Sequence, residues 1–284
     1  MMKNWHGILL TGVLASSSFA MAADKSQFHI FDPTPREQMR EMSTDRPDLT
    51  ESAYTVDAGH FQLEMDIVSF FRDRRNPAGD IRSDAWLVAP VNLKIGVANW
   101  ADLQVIVSPW NYVETDDRTT GTHTVNDGFG DIVTRFKVNL WGNDGGSTAL
   151  AVMPFVTLPT SQDSVGNRLL DGGVVVPFAA ELPWSFGLGM QSGIAWARDN
   201  SGGGPATELV NSITFGREVF GDLAGYVEFF TLVSTDAGSA WQGYLDVGFT
   251  YALNANTQLD CGVNIGVTTT ANDWNPFLGI SWRY

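Results

Sequence analysis

The side chains of this 284-residue sequence that could do chemistry fall into two kinds of spacing. One is a period of two: Glu64 and Asp66, Asn92 and Lys94, Asp131, Arg135 and Lys137, Tyr226 and Glu228, and Tyr244 and Asp246 alternate with mostly apolar neighbours. Acids, bases and phenols at that spacing share one face of a strand, where they can pair as ions or orient a polar or aromatic solute. Gln104, Asp260, Asn264 and Arg283 extend the set. The other kind is a dense run, Ser43 to Ser52, in which Asp45, Arg46, Pro47, Asp48 and Glu51 crowd together. Catalysis would rest on His60 and His123, since a histidine beside a serine makes a hydrolytic pair. No Gly-x-Ser-x-Gly elbow accompanies them, and His123 lies in a Thr-rich stretch, so a lipid hydrolase is the weaker reading.

Metals and cofactors find little support. Cys261 stands alone and no Cys/His cluster has zinc spacing, so neither a disulfide nor a structural metal is expected. Asp116, Asp117, Asp163 and Asp199 occupy polar connections and could take Ca²⁺, but they form no contiguous oxygen-ligand loop. With no ATP-binding loop, no cofactor is expected.

The elements that must position these residues follow from export and periodicity. Lys3, the apolar stretch Ile8 to Phe19 and Ala20-Met21-Ala22 have the form of a cleavable secretory leader, residues 1–22. The net charge is −15, and −15 − 1 = −16 without Lys3, which argues against nucleic acid as a partner. No later apolar run is long enough for a membrane helix. The apolar residues alternate instead, as in strands with two unlike faces. Phe61, Leu63, Met65 and Ile67 alternate with His60, Gln62, Glu64 and Asp66, and Ala85 to Val97 reads as a second strand. Leu103–Val107 and Ile132–Leu140 follow, then 150–158, 174–182, 186–196, 209–215, 223–233, 241–251, 259–267 and 276–284. That makes twelve strands. Weak alternation over 177–183 and 210–216 leaves ten or fourteen open.

Short connections around Asn99, 142–147, Pro183, Gly221 and 253–256 alternate with longer polar ones, which is the pattern of an outer-membrane barrel rather than a soluble sandwich. Trp241 and Tyr251, ten residues apart on one face, would stand about 25 Å apart along the membrane normal, the height of the apolar band between aromatic girdles. The chain ends Ile280-Ser281-Trp282-Arg283-Tyr284, similar to the C-terminal strand signal read by the outer-membrane assembly machinery.

The run Ser43-Thr44-Asp45-Arg46-Pro47-Asp48-Leu49-Thr50-Glu51-Ser52, followed by Val56-Asp57-Ala58-Gly59-His60-Phe61-Gln62-Leu63-Glu64, resembles the start of the transporter-like family labelled "putative MetA-pathway of phenol degradation". Gly128-Phe129-Gly130-Asp131-Ile132, and Leu158-Pro159-Thr160 with Val165-Gly166, resemble its recurring elements. The resemblance implies an outer-membrane β-barrel that carries small, often aromatic, compounds.

The reading is therefore an all-β chain: leader 1–22, a periplasmic or plug segment 23–58, and a transmembrane antiparallel up-and-down barrel of about twelve strands over 59–284 in the outer membrane of a Gram-negative bacterium. Charges and prolines keep the second segment out of lipid, and an intermediate lumen can take it, with Asp45, Arg46, Asp48 and Glu51 meeting Lys94, Arg135 and Lys137. The interior charges could equally be a network that stiffens the wall. Interior aromatics, read as Trp86, Trp110, Tyr112, Phe155, Tyr226, Phe230 and Tyr244, could stack on an aromatic solute or fill space. The expected function is passive passage of small molecules; the alternative is a structural or adhesive barrel. Expected partners are outer-membrane lipid, the assembly machinery and a small solute.

Overall fold

The computed structural model describes residues 24–76, 80–162, 165–166, 170–198, 205–235 and 239–284. The leader, Asp163 and Asp199 lie outside the described residues. Fifteen strands are found among them. They are β1 Phe61–Asn76, β2 Ile81–Val88, β3 Val91–Ala98, β4 Ala101–Val107, β5 Trp110–Asp117, β6 Thr122–Gly128, β7 Ile132–Trp141 and β8 Thr148–Leu158. Then come β9 Asp171–Leu182, β10 Phe186–Arg198, β11 Pro205–Phe220, β12 Leu223–Ser234, β13 Gln242–Asn254, β14 Thr257–Gly266 and β15 Trp274–Arg283.

Twelve of these, β1, β3, β4, β7 and then β8 to β15 in order, form a closed antiparallel barrel, with β15 returning to β1 from Gln62↔Arg283 to Arg72↔Trp274. Closure leaves none of these twelve strands with an open edge, which a bilayer demands because it offers no water to unpaired backbone groups. The outer face is apolar and exposed, for example at Leu93, Leu103, Phe136, Ile194, Phe229 and Leu245. Trp100, Trp141, Trp184, Phe220, Tyr251 and Trp282 ring the end with the short turns, and Trp86, Trp110, Trp196, Trp241 and Trp274 ring the other, as two interfacial girdles do. Taking the short turns as periplasmic puts the N-terminal segment at that end.

The twelve-strand count stands, but the second, third and fourth strands are each broken in two. β2, β5 and β6 form a flap that continues the upper part of β1, while β3, β4 and β7 form the wall below it. The breaks fall at Ala89-Pro90, Ser108-Pro109 and residues 129–131. At the first two breaks proline has no N–H for the ladder, and Ala89 turns to φ 54; at the third, Gly128 turns to φ 153, so each strand ends, bends and restarts. Each restart also changes phase by one residue. Val88 and Val91 both point outward, as do Val107 and Trp110. The expected single outward face from Ala85 to Val97 is therefore corrected: above Pro90 the outward residues are Asp84, Trp86 and Val88. Trp86, Trp110 and Tyr112, expected inside, join the outer girdle, where Phe70 packs on Trp86 at 4.4 Å and on Trp274 at 5.6 Å between ring centroids. Arg72 lies over the Phe70 and Trp274 rings.

The N-terminal segment enters the barrel beside β3. Ala58 bridges to Gly96, with Gly59 N donating to Gly96 O at 2.8 Å and Gly96 N to His60 O at 3.0 Å. A side chain at Gly96 would put its first carbon 2.1 Å from the Asp57 carbonyl oxygen, against backbone that cannot step aside. Gly96→Ala is accordingly expected to cost at least about 1–3 kcal/mol as an overpacked contact. A melting curve in detergent checks this, and an unchanged transition would contradict the close approach.

Candidate functional site

Inside the barrel, residues 45–51 cross the lumen as a bar held on four sides. On the first, Asp45 lies between two lysines, with its carboxylate oxygens 2.5 Å from Lys94 Nζ and 2.5 Å from Lys137 Nζ. Lys94 also pairs with Glu64, whose other oxygen accepts the Asp45 N–H at 3.0 Å. Both lysines are almost fully buried. They stand there because β3, β4 and β7 are neighbours in register, Lys94 against Gln104 and Asp102 against Lys137.

On the second side Arg46 reaches Asp66 at 2.6 Å and Asp260 at 2.7 Å, with a further bond from Nε to Asp260 at 3.1 Å. Asp66 and Asp260 both register with Gly279 of β15, one from each flank. A side chain at Gly279 would meet Arg46 Nη2 at 2.1 Å, so the glycine leaves the notch in which the guanidinium lies. This two-carboxylate seating uses the planar fork of arginine, which lysine could not copy.

On the third side Glu228 of β12 accepts the Leu49 N–H at 2.7 Å and the Thr50 hydroxyl. Gln191 of β10 clamps the same stretch, donating to Leu49 O and accepting from Glu51 N, each at 2.9 Å. On the fourth, Arg135 donates to Glu51 at 2.6 Å. Asp48 lies beside Glu228 and Thr214.

Below the bar a second network ties the segment to the periplasmic turns. Asp57, fully buried, meets Arg40 at 3.3 Å and Lys25 and Arg283 at 3.5 Å. Arg40 also bonds Thr55 and Asn99. In the turn after β7, burial alone would raise the Asp144 carboxyl, but bonds from Lys25 and Asn99 and the charge of Arg40 hold it below the usual carboxylate range.

The bar separates two cavities that both touch Pro47, Asp48 and Glu51. The outer, of about 450 Å³, has Phe71, Phe230, Tyr244 and Phe277 among its walls and reaches Pro90 and Ile106 at the strand breaks. The inner, of about 430 Å³, runs toward the periplasmic end past Tyr54, Phe178 and Glu181. A single layer of chain thus stands between them.

The candidate residues divide accordingly. Asp45, Arg46, Glu51, Glu64, Asp66, Lys94, Arg135, Lys137 and Glu228 meet at the bar. Asp246 is the cross-strand partner of Glu228, fully buried beside it. Tyr244 lines the outer cavity near Phe230. Tyr226 lies against Gly248 and Gly262 and borders the inner cavity. Asp131 is a correction: it does not join the lumen cluster. It sits in the β6–β7 break, where it accepts the Ser161 N–H at 2.9 Å and so braces the loop after β8. Asp102, Gln191 and Gly279 were missed. Gln191 sits among glycines on the inward face of β10, where alternation marks the face but not the partner, and Gly279 carries no side chain to signal its role.

Among the described residues, His60 and His123 meet no serine that would make a hydrolytic pair. His60 is buried with Nε2 2.7 Å from Thr34 O and Nδ1 3.2 Å from Tyr284 O, so both ring nitrogens face carbonyl oxygens and neither faces a serine. His123 pairs with Asp116 on the exposed flap.

The closed twelve-strand wall, the two girdles and the crossed lumen define an outer-membrane type of β-barrel. Residues 44–284 match the family described as "Putative MetA-pathway of phenol degradation", and the chain belongs to that family. The COG4313 outer membrane channel from Pseudomonas putida F1 superposes with a TM-score of 0.59 at 9% identity, over 85% of this chain and 100% of that one. The NanC porin gives 0.50 at 9% identity, over 78% and 98%. At such identity the likeness concerns the fold. No curated protein matches the chain.

Proposed function

We propose that the chain is a passive channel of the Gram-negative outer membrane for small apolar or aromatic molecules, closed at rest by its own N-terminal segment. The observation that carries this reading is the lumen: two cavities of molecular size meet at one layer of chain, residues 45–51. The outer cavity combines aromatic walls with amides, the lining that suits a small ring with a polar group. Its reach to Pro90 and Ile106 gives an apolar solute a second way out, sideways through the seam where the strands break. The channel reading is favoured over catalysis because His60 is enclosed between carbonyls and the charges at the bar are engaged in ion pairs or hydrogen bonds with the wall, Asp48 through Thr214. Family membership supports it, and the channel and porin folds are consistent with it. The C-terminal strand is the segment the assembly machinery would read, and the girdled outer face is the surface that lipid would cover.

Uptake decides it. In Gram-negative cells depleted of general porins, expressing the chain is expected to accelerate entry of a labelled uncharged aromatic compound several-fold, with little effect on a sugar of similar size. No acceleration of either solute would sink the channel reading in favour of a structural or adhesive barrel.

A further inference from the structure

The flap formed by β2, β5 and β6 carries a cluster that the lumen does not use. Asp116 and His123 are directly opposed across β5 and β6, with His123 Nδ1 2.6 Å from Asp116 Oδ1. Glu114 precedes Asp116 by two residues and so points the same way. One ligand atom from each of the three lies within 4.8 Å of the others, and among the described residues no other such trio forms. We propose that Glu114, Asp116 and His123 form a site for a divalent transition-metal ion of the Zn²⁺ class on the outward face of the extracellular flap.

The donor set argues for that class. Two carboxylates with one imidazole suit a borderline ion, whereas Ca²⁺ sites are built from oxygen alone. Zn²⁺ bonds of about 2.0–2.2 Å place tetrahedral ligands about 3.3 Å apart, so small side-chain rotations close the trio around an ion. The proton now shared between His123 and Asp116 gives way to the metal. Three protein ligands on one face leave the fourth position open, to water or to an anionic group.

The fold supplies a use for such an ion. β6 ends the sheet, and among the described residues no strand pairs with its outer edge. An ion held by Glu114 and Asp116 from β5 and His123 from β6 would clasp the two strands. It would also stand just above the outer girdle: Tyr112, two residues before Glu114, stacks near Trp110 and its hydroxyl bonds Glu114 at 3.5 Å. Each two-residue step along a tilted strand climbs about 5 Å, so the site lies in the outer headgroup zone. Arg82 of β2 is the register partner of Asp116 and the group with which the ion would share that carboxylate. The neighbouring Arg72 and Arg74 are already engaged by Asp84. The ligands come from two strands seven residues apart, which is why no contiguous motif announces them.

The test uses the full chain refolded in detergent, free of any affinity tag and washed with a chelator. Calorimetric titration with ZnCl₂ is expected to show one ion bound per barrel at micromolar affinity, weakened tenfold or more in both His123→Ala and Glu114→Gln. CaCl₂ is expected to give no binding at the same concentrations. Heat-modifiable migration in gels verifies that both variants fold. Absence of Zn²⁺ binding by the wild-type barrel, or unchanged affinity in either variant, would overturn the site.

Discussion

Asp45→Asn is expected to free the bar from the wall. The substitution keeps the shape of the side chain and removes the charge that lies between Lys94 and Lys137. Glu64 still pairs with Lys94, and Asp102 stands opposite Lys137, but each lysine loses its ionic partner at 2.5 Å while staying out of water, and only one of them can still donate to the amide oxygen. Leaving a buried charge without its partner costs on the order of 3–5 kcal/mol. The bar can escape that cost by detaching, because it is held by side chains and not by a strand ladder. Two readouts are expected to move together: a lower unfolding temperature in detergent and larger, more frequent current steps in a planar bilayer. A lower melting temperature with unchanged current would mean that Asp45 stabilises the wall without closing the lumen.

Arg46→Gln is expected to act from the opposite side with comparable force. Here one cation holds two carboxylates, Asp66 and Asp260, on a wall that also presents Glu228 and Asp246. Glutamine can donate to one of them and neutralises neither, so two acids are left facing each other across the notch over Gly279. A loss of about 3–5 kcal/mol is again expected from the broken buried pairs. The electrical signature should differ from that of Asp45→Asn. Removing the anion leaves lysines exposed to the lumen, while removing the cation leaves acids, so Arg46→Gln should give the more cation-selective pore. Reversal-potential measurements in a salt gradient separate the two variants, and equal selectivity in both would argue that neither residue lines the permeation path.

How much of this was legible in the chain depends on which residues are considered. Alternation in Phe61–Ile67 and Leu103–Val107 places those strands and their faces correctly, because the pleat gives a strict period of two. The same reasoning fails across Pro90 and Pro109. A proline in a run of alternating residues marks a place where the ladder can end, and a phase carried straight through it turns every following side chain to the wrong face. That error placed Trp86, Trp110 and Tyr112 in the lumen. The correct phase was present in the sequence, in Trp86 and Val88 on one side of Pro90 and Val91 and Leu93 on the other, but only if the count restarts at the break. The family could be read from residues 43–64 because the motif is dense and local.

The site was legible by type and not by partner. That Asp45, Arg46 and Glu51 cannot face lipid follows from their charge. That Asp45 meets both Lys94 and Lys137, or that Arg46 lies over Gly279 between Asp66 and Asp260, depends on the register of strands far apart in sequence. Gly279 is the clearest instance: its contribution is an empty space, and the carboxylates flanking that space come from positions 66 and 260. Asp131 shows the converse, since its alternation with Ile132 suggests a lumen residue while the break beside it turns its side chain to the loop.

The most direct measurement is the single-channel conductance of the refolded barrel with and without residues 24–57. With the segment present, small or rare steps are expected; without it, larger steps should appear that an uncharged aromatic solute blocks more strongly than a sugar. Equal conductance in the two forms, with folding verified in both, would contradict the claim that residues 45–51 close a transport lumen.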